Sequence, residues 1–240
     1  MAENNIVLAF DAYGTLLSTE SIAQKLAEHF GQEKATTIAT EWRKYQLEYT
    51  WRLNSMNKYE PFTDVTRKSL QHAIFEADVT LTDSQIQDLM TAYNSLHVFP
   101  DVPPLFTHLR QSPQYHPVVF SNGTAAMINT SLTQSPDLSP HAGLFRQVVV
   151  VEPVERFKPD PLVYQHLCEK VGKKGDEGSV WLVSGNPFDV VGANAVGLRT
   201  CWVDRGGRGW GDRLAGGPTV VVSGLDRVLE TVGAFLEGLK

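Results

Sequence analysis

The sequence is poor in cysteine: 240 residues contain two, Cys168 and Cys201. Neither belongs to a CxxC pair, and no Cys/His cluster has metal-ligand spacing. A disulfide framework is therefore not expected. Two buried, reduced thiols are, as in a reducing compartment. Basic runs are missing too. The balance of 21 Lys and Arg against 27 Asp and Glu gives a net charge of −6, without the footprint that nucleic acid requires. No apolar stretch approaches the roughly 18 residues of a membrane span. The opening, MAENNIVLAF, lacks a basic region followed by a long apolar run, so no signal peptide is expected. These absences point to a cytoplasmic protein with neither nucleic acid nor membrane as partner. Internal repeats and low-complexity segments are also lacking. What is present is 42% hydrophobic residues, enough for one sizeable core or a core with a smaller satellite.

Six short apolar runs, at 6–10, 117–120, 147–151, 180–183, 199–203 and 219–222, are rich in Val and Ile and do not alternate. That is the pattern of parallel strands covered on both faces. Helical patterns fall between and after them, at 104–111, 124–134, 161–171, 189–196 and 225–239. Alternation of this kind predicts an α/β fold, a Rossmann-like doubly wound parallel sheet. The segment 18–96 breaks the alternation. It reads as four helices and no strand: SIAQKLAEHFG ended by Gly31, ATTIATEWRKYQLEYTWRLN, FTDVTRKSLQHAIFEAD with Asp64 helping to start it, and TDSQIQDLMTAYNSL with its N-cap at Thr82 or Asp83. The expected organisation is a core of 1–17 and 97–240 with a helical cap at 18–96. The glycine-rich stretch DRGGRGWGDRLAGGP lacks the Walker pattern and reads as a surface loop.

Ligands of open α/β sheets bind beyond the carboxyl ends of the strands. The first strand ends at Asp11. The second is followed by Ser121 and Asn122, the third by RFKPDP with Lys158, and the fourth by SGNPFD with Ser184, Asn186 and Asp189. Two carboxylates, one lysine and several small polar groups thus converge on one crevice. Taken singly, each has an ordinary reading. Asp11 suits a turn, Ser121 and Asn122 are common turn residues, Lys158 suits a loop, and Asp189 suits a helix cap. Leu47 and Phe62 suit the core of the cap. The seven scattered histidines have no role, Trp42 and Trp51 read as packing, and Asp160 and Asp204 have no mechanism.

Together the blocks FDAYGTL, SNG, KPDP and SGNPFD, in this order and spacing, resemble the four sequence blocks of the haloacid dehalogenase superfamily. The resemblance implies the fold of that superfamily, with a helical cap inserted after the first strand. Its phosphatases carry a second acid two residues after the nucleophilic aspartate and another in the fourth block, and they hold Mg²⁺. This sequence has Tyr13 at the first position and Ser184-Gly185-Asn186 at the second. Asp11 and Asp189 alone make a poor cage for a hard dication. The departure points to the metal-independent branch, the L-2-haloacid dehalogenases, and EWRKYQLEYTW with Arg43 is similar to their cap.

By that resemblance the substrate is a small 2-halocarboxylate, the products are a 2-hydroxy acid and halide, no cofactor or metal is used, and the protein is a homodimer. Asp11 attacks the α-carbon and forms an ester, which a water activated by Asp189 hydrolyses. Lys158 keeps Asp11 ionised, Thr15 hydrogen-bonds it, and Ser184 and Asn186 position the acid and water machinery. Tyr164 supports. Ser121 and the backbone N–H groups near Ala12, Tyr13 and Asn122 take the substrate carboxylate. Arg43, Asn122 and Phe188 take the halide, and Tyr13, Leu47, Phe62 and Phe188 exclude water. Two alternatives stay open: a Mg²⁺-dependent phosphatase of small phosphomonoesters, and a diverged protein that binds or hydrolyses another small acid.

Overall fold

The computed structural model describes residues 6–239. Its six strands are β1 (Ile6–Asp11), β2 (Tyr115–Ser121), β3 (Gln147–Val150), β4 (Val180–Ser184), β5 (Arg199–Val203) and β6 (Val220–Val222). They form one sheet in the order β3-β2-β1-β4-β5-β6, and every pairing is parallel. The central strands are buried on both faces. Leu8, Ala9, Phe10, Val118, Phe120 and Leu182 have no more than a trace of exposed surface, as their unbroken apolar sequence requires. Strand order reverses beside β1: the chain moves outward through β2 and β3, then returns to the other side of β1 as β4. That switch point opens a crevice at the carboxyl ends of β1, β2 and β4.

Four helices follow β1: α1 (Ile22–Phe30), α2 (Gln32–Ser55), α3 (Phe62–Glu76) and α4 (Asp83–Tyr93). Gly31, at φ 74°, ends α1 and also precedes α2, so α2 starts three residues earlier than expected. Thr82 caps α4 in a capping box with Gln85. Asp64 lies in the first turn of α3, whose N-cap position is Pro61. The chain leaves and re-enters this helical layer side by side. Leu17 bridges Val98, and Ser18 N–H donates to His97 C=O at 2.8 Å.

The remaining helices are α5 (Val102–Arg110), α6 (Ala125–Gln134), α7 (Pro161–Lys170), α8 (Pro187–Ala195) and α9 (Val228–Glu237). Most element ends differ from expectation by a few residues, and two of these shifts have a local cause. The helix expected from 225 begins as a 3-10 turn over Leu225–Arg227. Thr219 is outside β6 because it and Thr200 exchange N–H to hydroxyl bonds, each of 3.0 Å, in place of a ladder step. Cys168 and Cys201 are buried and free. No described helix is long and apolar enough to cross a membrane.

Candidate active site

Asp11 ends β1 with 6% of its surface exposed. A buried carboxylate must be met by donors, and three are present. Thr15 Oγ1 donates to Oδ2 at 2.7 Å, Asn186 Nδ2 donates to the same oxygen at 2.8 Å, and Lys158 Nζ donates to Oδ1 at 2.9 Å. Thr15 reaches back because the chain folds into a tight turn after β1, where Leu16 N–H and Leu17 N–H both return to Ala12 C=O. Asn186 comes from the turn after β4. Gly185 lets the two turns meet, since a Cβ there would lie 2.7 Å from Gly14 C=O. Its N–H donates to Thr15 Oγ1 at 2.9 Å.

Lys158 follows β3 and is 1% exposed. Its ammonium makes three bonds of 2.9 Å, to Asp11, to Asp189 Oδ2 and to Phe120 C=O, and lies 4.1 Å from the centre of the Phe120 ring. Burial alone would pull its pKa down. The Asp11 and Asp189 charges outweigh it and hold the pKa above the ordinary value of 10.5. Asp189 lies in the first turn of α8 and is completely buried. Its other oxygen accepts from the Tyr164 hydroxyl at 2.8 Å. Burial raises the Asp189 pKa, and Lys158 only partly offsets this. The Tyr164 hydroxyl is pushed far up by burial and then by Asp189.

Other residues from the strand ends and from α2 gather around this cluster or lie at its edge. Ser121 ends β2 and accepts from Gly123 N–H at 2.9 Å. Asn122 accepts from Lys158 N–H at 2.9 Å, and Ser184 accepts from Asn186 N–H at 3.1 Å. Ala12 is buried behind Asp11. The Tyr13 ring packs 5.7 Å from Phe62 and 5.5 Å from Tyr93, joining the helical layer to the sheet. Its hydroxyl is buried without a protein partner among the described residues. Arg43 reaches down from α2, donating to Tyr13 C=O at 3.2 Å and to Asn186 Oδ1 at 3.4 Å. Leu47 is half-buried on α2. Phe188 is half-buried, its ring 5.5 Å from that of Trp51. Trp51 packs on Phe188 as its sequence suggested, but 40% of its surface is exposed, so it sits on a rim. Two cavities flank the site. One of about 590 Å³ runs under Trp51 and Phe188, and one of about 490 Å³ reaches Arg43.

Sequence reasoning missed two groups. Gln46 accepts from Arg43, and Thr66 and Tyr93 bond Gln46 in turn. Arg205 belongs to the glycine-rich stretch read as surface loop, yet it grips Asp101 through Nε at 2.8 Å and Nη2 at 2.9 Å, donates to Thr15 C=O at 2.8 Å, and stacks on Phe99. It braces the turn that carries Asp11. The available signal was its position just after a strand end.

The superfamily fold raises the question of a Mg²⁺ ion, and this donor set does not fit one. Each oxygen of Asp11 and Asp189 already faces an N–H or O–H donor. The ammonium of Lys158 stands between the two carboxylates, and Tyr13 supplies no charge. A hard dication needs oxygens turned towards it, mostly anionic. No group of three or more His, Cys, Asp or Glu among the described residues could hold a metal.

A parallel sheet carrying a lone aspartate at its central strand end, a lysine from the third strand's loop and a helical layer over both defines a hydrolase of the haloacid dehalogenase fold. The family model for haloacid dehalogenase-like hydrolases matches residues 7–197, and the chain belongs to that family. It is 32% identical to an (S)-2-haloacid dehalogenase of Pseudomonas sp. (strain YL) over 83% of each chain. It is 29% identical to haloacetate dehalogenase H-2 of Moraxella sp. (strain B), covering 94% of this chain and 96% of that one. The structure of an L-2-haloacid dehalogenase from Xanthobacter autotrophicus with chloropropionic acid covalently bound superposes with a TM-score of 0.82. Identity there is 27%, over 95% of this chain and 98% of the other.

Proposed function

We propose that this protein is an (S)-2-haloacid dehalogenase, converting (S)-2-haloalkanoic acids into (R)-2-hydroxyalkanoic acids and halide without metal. The observation that carries the reading is a buried Asp11 carboxylate held by Thr15, Asn186 and Lys158, with Tyr13 where a phosphatase needs an acid. The family relationships support it. Desolvation and fixed aim make a carboxylate a usable nucleophile. An Asp11 oxygen attacks the α-carbon, the carbon–halogen bond breaks with its electron pair leaving on the halide, and in-line displacement inverts the carbon. The product is an ester on Asp11.

Charge explains the supporting residues. Asp11, Asp189 and Lys158 together carry one net negative charge, and the substrate brings another. Ser121 and the N–H groups after β1 and β2 receive the substrate carboxylate, and Arg43, with Asn122 and the Phe188 edge, meets the departing halide. A water then attacks the ester carbonyl and Asp189 takes its proton. Burial raises the Asp189 pKa, which strengthens it as a base. The tetrahedral species collapses by breaking its bond to the alkoxide oxygen, which takes the proton back from Asp189 and leaves as the 2-hydroxy acid. Asp11 returns to carboxylate by losing its remaining proton to solvent. Tyr164, Ser184 and Asn186 hold Asp189 and Asp11 in place. Tyr13, Leu47, Phe62 and Phe188 keep bulk water out. The layer α1–α4 acts as a cap over residues 18–96, its limits at the paired crossing near Leu17 and Val98. A cytoplasmic homodimer belongs to the same reading, supported by two free thiols and by family resemblance.

The test is chloride release from (S)-2-chloropropionate in EDTA, with Asp11→Asn alongside, and with the (R) enantiomer and p-nitrophenyl phosphate plus Mg²⁺ as controls. Release in EDTA that the substitution abolishes supports the reading. Phosphate release that requires Mg²⁺, with no chloride, refutes it.

A further inference from the structure

Gln46 has none of its surface exposed, although it is polar. A buried amide is costly unless each of its groups is met. In α2 it is three residues beyond Arg43, on the same helix face. Its Oε1 accepts from Arg43 Nη1 at 2.7 Å and from the Tyr93 hydroxyl at 3.0 Å. Its Nε2 donates to Thr66 Oγ1 at 2.8 Å, and the Thr66 hydroxyl passes its own hydrogen to Phe62 C=O at 2.7 Å. The amide orientation is fixed, because a guanidinium only donates and must meet the oxygen. Three helices, α2, α3 and α4, thus contribute to one buried chain of bonds that ends on Arg43.

The other partners of Arg43 are weaker holds. Tyr13 C=O is at 3.2 Å and Asn186 Oδ1 at 3.4 Å. The shortest bond to the guanidinium is the one from Gln46. All these acceptors are neutral, and no carboxylate pairs with Arg43 among the described residues. A glutamate in place of Gln46 could still accept from the guanidinium, but it would lose the donor to Thr66 and cancel the charge.

We propose that Gln46, anchored by Thr66 and Tyr93, is a positioning residue that holds the Arg43 guanidinium in place with its charge uncompensated, so that the full charge meets the departing halide. The inference rests on the reading of Arg43 as the group that stabilises halide. A poorer leaving group depends more on that stabilisation, so the chloride and bromide substrates separate this role from general damage.

The experiment measures the halide burst and steady-state kinetics with (S)-2-chloropropionate and (S)-2-bromopropionate for the full-length protein and for Gln46→Glu, Gln46→Leu, Thr66→Val and Arg43→Ala. For Gln46→Glu and Gln46→Leu the burst rate with the chloro acid is expected to fall about a hundredfold. The bromo-to-chloro rate ratio is expected to widen on the order of tenfold with little change in KM. Thr66→Val shifts the ratio in the same direction, by less. Thermal melts accompany each variant. Gln46→Glu has nearly the shape of the natural residue and, with Thr66→Val, carries the test if Gln46→Leu does not fold. A ratio that widens in Arg43→Ala but not in the Gln46 and Thr66 variants overturns the positioning role and leaves the function standing. An equal loss with both substrates overturns it too, as the mark of a structural residue. An unchanged ratio in Arg43→Ala refutes the reading of Arg43, and the inference with it. Absence of halide release from the natural protein refutes the function and everything built on it.

Discussion

The Lys158 ammonium stands 2.9 Å from the Asp11 carboxylate although 147 positions separate them in the chain, and it stands equally far from Asp189. One cation thus bridges two carboxylates, all three nearly or fully buried. Removing it leaves two anions facing each other without a counter-charge. Lys158→Met is expected to lower kcat by about a thousandfold through loss of electrostatic support, and to cost about 3–5 kcal/mol of stability, as breaking a buried pair does. The stability loss shrinks in acid, where Asp189, its pKa raised by burial, takes up a proton and one of the two facing charges is gone. Urea unfolding at neutral and at acid pH checks both parts. An equal loss at both would contradict the assignment.

The pH profile follows from the directions of two shifts. Asp189 must be ionised to take a proton from water, and burial moves its pKa above the ordinary 3.8. Activity therefore falls as pH drops through that raised value. Lys158 is shifted upward from 10.5 by the two carboxylates, which outweigh the opposing effect of burial. The stability it contributes is fully present below its unfolded pKa and is lost as pH rises through the higher folded one. Hydrolysis of the ester, followed in single turnovers from about pH 4 to about pH 10, should show one acid limb and then a plateau. Asp189→Asn should remove the limb along with most of the rate. A basic limb near neutrality would contradict this account.

Tyr164 is held against Asp189 by a neighbour too small to displace it. A Cβ on Gly192 would lie 2.6 Å from both Pro159 Cβ and the Tyr164 oxygen. Gly192→Ala is expected to cost about 1–3 kcal/mol through overpacking. It should also slow ester hydrolysis about tenfold, by moving the tyrosine off Asp189. A thermal melt and a single-turnover rate check the two effects. Natural values for both would show that the packing yields without disturbing Asp189.

Much of this architecture is legible in the sequence, because buried parallel strands have a distinctive chemistry. The Val- and Ile-rich runs give all six strands within a residue or two, and the polar residue after each run marks the crevice. Asp11 and Ser121 directly follow their runs, whereas Lys158 and Asp189 lie several residues further on and stand out only through the resemblance of the blocks KPDP and SGNPFD. Gln46 is hidden for a physical reason: a polar residue on a long helix ordinarily faces water. Only the fold reveals that α3 and α4 bury this face. Arg205 is hidden by its glycine-rich company, which suggests a free loop, whereas Asp101, 104 positions away, draws it inward. Trp51 packs as expected, but its place at a cavity rim is hidden, because an apolar side chain there has the same sequence appearance as one in a core.

The central claim is that Asp11 itself attacks carbon and that water later attacks Asp11. A single turnover of excess enzyme with (S)-2-chloropropionate in ¹⁸O-water, followed by mass analysis of both partners, tests it most directly. The account predicts a 2-hydroxy acid free of label, its new oxygen taken from Asp11, and one ¹⁸O retained in the peptide that contains Asp11. Label in the product with none in the protein would mean that water attacks the substrate directly, and would contradict the account.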